Sequence, residues 1–257
     1  MVKRILLYTA LFSTIAVSCT KDDPLKGSVT EFASVSLTNV NASAKSVDFF
    51  IDGQKKSTNA PIAANGSILG TYVGINADAN HAITVRDATN TTLDYYVGTI
   101  TGTPSNSYAF FVYDTLTTGK FKSLLLTANR TITAGSANSN IRFLNFSPKS
   151  PALDCWLVRI VGAIRTDSVN ISANAGYIGN TTPNAATLSN YVSVRANQLA
   201  GANGAGSAAT TYAIKVTTAG TQTVVTSATT TFVPGRNYTI FVRGIYPATA
   251  LSLLADN

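Results

Sequence analysis

Apolar and polar residues alternate with a period of two along most of the chain beyond residue 30. In Ser46–Ile51, Val47, Phe49 and Ile51 fall on one side, and Asp48 and Phe50 on the other, with Asp52 continuing the second set. Such alternation is the signature of a half-buried strand, and Asp52-Gly53 directly after it reads as a turn. The same pattern predicts strands over Phe32–Asn39, Ser46–Ile51, Ile68–Val73, His81–Asp87, Thr92–Ile100, Ser107–Tyr113 and Lys120–Leu126 in the first half. In the second half it predicts Ile141–Phe146, Ala152–Ile160, Ser189–Ala196, Tyr212–Thr217, Thr221–Phe232, Asn237–Arg243 and Leu251–Leu254. About seven short strands per hundred residues, punctuated by turn residues such as Gly53, Asn65-Gly66 and Pro104, point to a β-sandwich in each half. No window sustains a helical period. The expected class is all-β.

The halves also resemble each other. Leu37-Thr38-Asn39 through Val47-Asp48-Phe49-Phe50 aligns without gaps on Phe143-Leu144-Asn145 through Leu153-Asp154-Cys155-Trp156, and each segment has an Asn followed nine residues later by an Asp. His81–Val85 aligns on Tyr212–Val216, and Tyr108–Val112 on Tyr238–Val242. The offset grows between the first and second blocks, which places an insertion within 159–211, where the stretch Leu199–Ser207 has too little apolar surface to pack. Self-similarity of this kind predicts two tandem sandwiches, over 31–130 and 139–257, joined by a short polar linker.

The amino-terminal residues read as an address. Lys3 and Arg4 precede the apolar run Ile5–Val17, too short for a bilayer, which takes about 20 residues, but suited to a secretory signal. The run ends in Ala16-Val17-Ser18-Cys19, which resembles the lipobox of bacterial lipoproteins, with cleavage after residue 18 and lipid on the Cys19 sulfur. Acyl chains on Cys19, palmitate among them, anchor a protein without a spanning helix. Residues 19–30 then form a polar tether. Its Lys21-Asp22-Asp23 resembles the signal that carries Bacteroidota lipoproteins to the outer face of the outer membrane. The expected localisation is therefore the outer membrane, on its outer face.

Asn140–Asp154 carries a family resemblance. A strand leads into Ser147-Pro148, then Pro151, Leu153 and Asp154; the first half has Val47-Asp48-Phe49 with Asp52-Gly53, and Gly235–Phe241 supplies a closing strand. These motifs resemble the domain of unknown function 4397. The resemblance implies an immunoglobulin-like sandwich in a secreted or lipid-anchored bacterial protein, and no activity.

Composition narrows the chemistry further. The 257 residues include 36 Thr and only 12% charged residues, with one His, two Cys and one Trp. Thr-rich, charge-poor chains favour strands. A net charge of +7 without clustered Lys and Arg does not make a nucleic-acid surface. His81 is the sole imidazole and no Gly-x-Ser-x-Gly elbow accompanies it, so a Ser–His–Asp triad is not expected. One His and one apolar-flanked Cys155 cannot assemble a zinc site. Asn76, Asp78 and Asn80 alternate like calcium ligands but lack the Gly and Glu of such loops. No cofactor and no metal is expected. Asp48 and Asp154, repeated in both halves, read as structural anchors for loops.

Aromatic residues are the better lead. Phe50 and Trp156 take equivalent positions on the Asp-bearing face, and Tyr95-Tyr96 is expected to present one ring on each face of its strand. Rings beside Asp and Asn stack on glycans or peptides. The function expected from the sequence is thus a non-enzymatic cell-surface lipoprotein whose sandwiches bind, space or present a glycan or protein partner. A subunit of an outer-membrane complex is the alternative, and a glycan-acting hydrolase is a more remote one.

Overall fold

Asp52 and Gly53 both take positive φ, 51° and 74°, as the two-residue turn of a tight hairpin requires. They join β2 (Val47–Ile51) to β3 (Gln54–Lys55), with Ile51 opposite Gln54. This hairpin belongs to a computed structural model that describes residues 31–57, 60–64, 66–67, 72–116, 118–161, 164–196 and 211–256. The expected signal peptide, Cys19, Lys21, Asp22, Asp23 and most of the tether lie outside the described residues. So do most of the Ile68–Val73 strand and the whole Leu199–Ser207 stretch.

The first half adds β1 (Phe32–Asn39), β4 (Gly66–Ser67), β5 (Val73–Asn76), β6 (Asn80–Asp87), β7 (Asp94–Thr101), β8 (Ser107–Tyr113) and β9 (Lys122–Ala128). One sheet runs β4-β1-β8-β9, with β5 also on β1; the other runs β3-β2-β6-β7. The second half comprises β10 (Asn138–Asn145), β11 (Leu153–Val161), β12 (Ile164–Ala175), β13 (Val192–Arg195), β14 (Thr211–Thr218), β15 (Val224–Thr231), β16 (Asn237–Arg243) and β17 (Ala250–Ala255). Its sheets run β13-β10-β16-β17 and β12-β11-β14-β15. A 3₁₀ turn (Ile178–Asn180) and one short helix, α1 (Ala185–Leu188), lie between β12 and β13. The protein is all-β, two β-sandwiches in tandem.

The pairings repeat from half to half. β1 runs parallel to β8 with Leu37 opposite Phe110, and β10 parallel to β16 with Phe143 opposite Ile240. Phe49 faces Val85, and Cys155 faces Val216. The repeated Asn residues end equivalent strands and do equivalent work. Asn39 donates to the Ile62 carbonyl while its Oδ1 accepts the Asn41 amide. Asn145 donates to the Ala175 carbonyl while its Oδ1 accepts the Ser147 amide.

Alternation builds each core. Val35, Leu37, Val47, Phe49, Val85, Phe110 and Val112 fill the first sandwich; Leu153, Cys155, Leu157, Ile214, Val216, Ile240 and Val242 fill the second. A third apolar layer joins the two. Ala109, Phe111 and Tyr113 of β8 and Leu124 and Leu126 of β9 meet Leu144 of β10, Phe146, Phe241 of β16 and Tyr177. Phe146 sits at its centre, its ring 5.1 Å from Phe111, 5.3 Å from Tyr113 and 6.0 Å from Phe241. β8 and β16 are thus buried on both faces, which explains their continuous apolar sequence.

A polar cluster lies in the same layer. Arg142 of β10 is 2% exposed and donates from Nε to Thr239 Oγ1 and from Nη1 to the Thr127 carbonyl of the first half. Its guanidinium lies over the Tyr191 ring, 3.7 Å from the fully buried carboxylate of Asp256. Asp256 also accepts from Tyr191 and Thr239, and its carbonyl accepts from Tyr72 of the first half. Burial raises the Asp256 pKa despite the neighbouring cation.

Within 159–211, β12 is the counterpart of β3, lengthened to twelve residues, and β13 that of β5. Two expectations need correction. The strand expected to end at Val73 instead begins there, pairing with the start of β1. The second concerns Tyr95 and Tyr96. A β-bulge separates the Val85–Tyr96 pair from the Arg86–Asp94 pair, leaving Tyr95 as the extra residue. Both rings consequently turn inward, because a bulge breaks the two-residue alternation.

Candidate functional site

β11 and β14 place Trp156 directly opposite Lys215 on the outer face of the second sandwich. Alternation forces this placement, since Cys155 and Leu157 on either side belong to the core. Trp156, Val158, Ser168, Lys215, Thr217 and Gln222 line a basin of about 150 Å³. Lys215 has no ion-pair partner among the described residues. Thr217 is 3% exposed, and its Oγ1 is buried without a hydrogen-bond partner among the described residues. An orphaned buried hydroxyl costs about 1–3 kcal/mol.

The equivalent place in the first sandwich is closed. Phe50 occupies the Trp156 position on β2, but the guanidinium of Arg86 lies 4.8 Å from its ring centroid. Asp94 holds Arg86 there through a 2.6 Å ion pair. The residue matching Arg86 in the second half is Thr217, too short to cover Trp156. The basin opens where the repeat replaces a long cation with a short hydroxyl.

The repeated carboxylates sit beside these rings with their oxygens engaged. Asp154 accepts the Asn174 amide on one oxygen and the Gly220 amide on the other, at 2.8 and 2.9 Å. Asp48 accepts from Ser57 Oγ at 2.7 Å and pairs with Lys55 at 2.8 Å. Both carboxylates thus tie loops to the sheet edge.

Tyr95 is buried in the first core against Phe121, its hydroxyl on Asp87, and burial pushes its pKa up to about 12. Tyr96 packs on Phe110 at 5.7 Å. It also lies over Gly98, where a Cβ would come within 2.2 Å of the Tyr96 hydroxyl. Tyr95 thus offers no free face for stacking, and Tyr96 is half-buried against the core. His81 is buried, with Nδ1 2.6 Å from Asp52 and Nε2 donating to the Asn76 carbonyl at 2.9 Å. Two oxygen acceptors favour the imidazolium, and the Asp52 bond raises the His81 pKa. Asn80 accepts from Thr101. Cys155 is buried, and desolvation pushes its thiol up.

Sequence reasoning singled out Trp156 but missed Lys215, Thr217 and Gln222. Extending the Val85–Val216 alignment by one residue, to Arg86 against Thr217, carries the signal.

Residues 33–156 match the model of a family described as Domain of unknown function (DUF4397). That span takes in the first sandwich from Ala33 onward, β10 and the start of β11, ending at Trp156 itself. No curated protein matches the sequence. Among solved structures, the chain is similar to one described as "Alpha-glucan binding by a streptococcal virulence factor", at 9% identity. That match covers 86% of this chain and 95% of the other, with a TM-score of 0.27. It is also similar to a family CBM26 module of Eubacterium rectale Amy13K in complex with maltoheptaose, at 10% identity, 86% and 96% coverage and a TM-score of 0.24. A third likeness is to family 41 carbohydrate-binding modules from streptococcal virulence factors, at 14% identity, 85% and 96% coverage and a TM-score of 0.27. Likeness this distant carries nothing about ligand to this chain.

Proposed function

We propose that this is a non-enzymatic binding protein of the cell surface, held at the outer membrane by lipid on Cys19, and that its ligand stacks on Trp156. The observation that carries this reading is the open basin: an aromatic ring and a cation with no ion-pair partner among the described residues lie together where Arg86 covers the sister half. The groups that catalysis would draw on are already committed, with Asp48, Asp154 and His81 bonded within the fold and Cys155 buried. The domain-family match to residues 33–156 is compatible with a binding role and assigns no reaction.

Trp156 is the single tryptophan, so its fluorescence reports directly on the basin. Titrating the purified protein with a panel of oligosaccharides and short peptides is expected to quench or shift that emission for at least one class. Trp156→Ala, read by calorimetry against the same ligand, is expected to weaken binding at least thirtyfold, about 2 kcal/mol. Binding by Trp156→Ala at wild-type strength would overturn the site, and silence across the panel would overturn the binding role.

The anchoring part has its own test. External protease is expected to remove the protein from intact cells, and Cys19→Ala to leave the membrane fraction. Protection until the outer membrane is broken would place the protein on the inner face instead.

A further inference from the structure

We infer that the Trp156 basin selects an acidic sugar, a hexuronic acid residue of an anionic polysaccharide. This rests on the binding role proposed above and names its ligand class. At about 150 Å³ the basin is well below the roughly 300 Å³ of sites for drug-sized ligands, so it holds a single ring. A pyranose presents an apolar C–H face that stacks on an indole, with hydroxyls around its edge. Ser168 and Gln222 supply the polar rim for those hydroxyls.

Charge decides between a neutral and an acidic ring. Among the described residues that line the basin, Lys215 is the one charged side chain, directly opposite Trp156. Its β15 neighbour across the sheet is Ser227, which offers it no counter-charge. Asp154, opposite Thr217 on the same face, holds the Asn174 and Gly220 amides and makes no ion pair with Lys215. Asp167, on β12, is paired with Arg159 at 3.2 Å. An ammonium without an ion-pair partner among the described residues, beside a stacking ring, matches a sugar that carries a carboxylate, because a charge-assisted hydrogen bond is about twice as strong as a neutral one. The formal net charge of +7, which is +5 once Lys3 and Arg4 leave with the signal peptide, favours approach of a polyanion.

The experiment follows Trp156 fluorescence while the protein is titrated with oligogalacturonate, oligomannuronate and a hyaluronan oligosaccharide. The methyl ester of oligogalacturonate serves as control, since it keeps the ring and loses the charge. At least one acid is expected to bind roughly tenfold more tightly than the ester or a neutral oligosaccharide, with affinity falling as salt is raised. Lys215→Met, an exposed-face change checked by circular dichroism, is expected to erase that preference and leave residual stacking. Acid and neutral ligands binding within threefold of each other, with Lys215→Met unchanged, would overturn the acidic class while the binding role stood. No quenching by any of them, acidic or neutral, would overturn the sugar ligand, and silence of the short peptides as well would overturn the binding role.

Discussion

Replacing Phe146 with Ala is expected to lower stability by about 3–5 kcal/mol, the range for truncating a fully buried aromatic. The ring is 0% exposed and contacts Phe111 and Tyr113 of the first sandwich and Phe241 of the second. Its loss leaves a cavity in the layer that joins the halves, with both sandwich interiors untouched. The consequence is specific. Urea unfolding of the wild-type protein is expected to give one transition, the same by far-ultraviolet circular dichroism and by Trp156 fluorescence. Because Trp156 reports the second half alone, the two curves of Phe146→Ala are expected to separate as the halves unfold independently. Coincident curves with an unchanged midpoint would mean that the shared layer contributes little to coupling.

Arg142→Met is expected to cost a comparable 3–5 kcal/mol, roughly the value for removing one partner of a buried ion pair. Asp256 would keep its full burial with no cation beside it, and the Thr127 carbonyl and Thr239 hydroxyl would each lose a donor. The pH dependence follows from the direction of the Asp256 shift. Burial already raises its pKa above that of an unfolded aspartate, and losing Arg142 raises it further. A group with a raised folded pKa favours the fold most at low pH, below its unfolded value, and loses that contribution as pH rises through the folded value. The defect of Arg142→Met is therefore expected to shrink as pH falls from 7 toward 4, and to grow on return. The double variant Arg142→Met/Asp256→Asn removes the stranded charge and is expected to recover part of the loss at pH 7. A double variant as unstable as the single one would show that lost packing, not charge, dominates.

Strand content was legible because alternation is a local property: Val47, Phe49 and Ile51 face a core for the same reason that they alternate in sequence. The Asn39–Asp48 and Asn145–Asp154 spacing was legible too, since each Asn holds the crossing between two sheets and each Asp ties a loop to the second. What covers an outward face is not local. Arg142 sits in alternation as any solvent-facing residue would, and only the neighbouring half makes it buried. Tyr95 was misplaced because one extra residue in β7 shifts a side chain to the other face, and no periodicity records a bulge in advance. β12 stayed hidden in a stretch whose polar, Asn- and Ser-rich residues face solvent at the edge of a sheet. At the candidate site, the ring was visible in the alignment of the halves. The basin depended on the side chain at the Arg86 position, one residue beyond the aligned block.

The parallel pairs have a consequence for how the chain acquires its shape. Ser34 of β1 meets Ser107 of β8, 73 residues later, and Asn140 of β10 meets Asn237 of β16 across 97 residues. Closing loops of this length costs entropy before any contact rewards it, and topologies dominated by such distant pairings fold in milliseconds to seconds. Each sandwich stays open along its first strand until its last strand but one has been made. A chain that emerges amino-terminus first therefore exposes the apolar edges of β1 and β10 for most of the synthesis of each half, and completion is gated by β8 and β16.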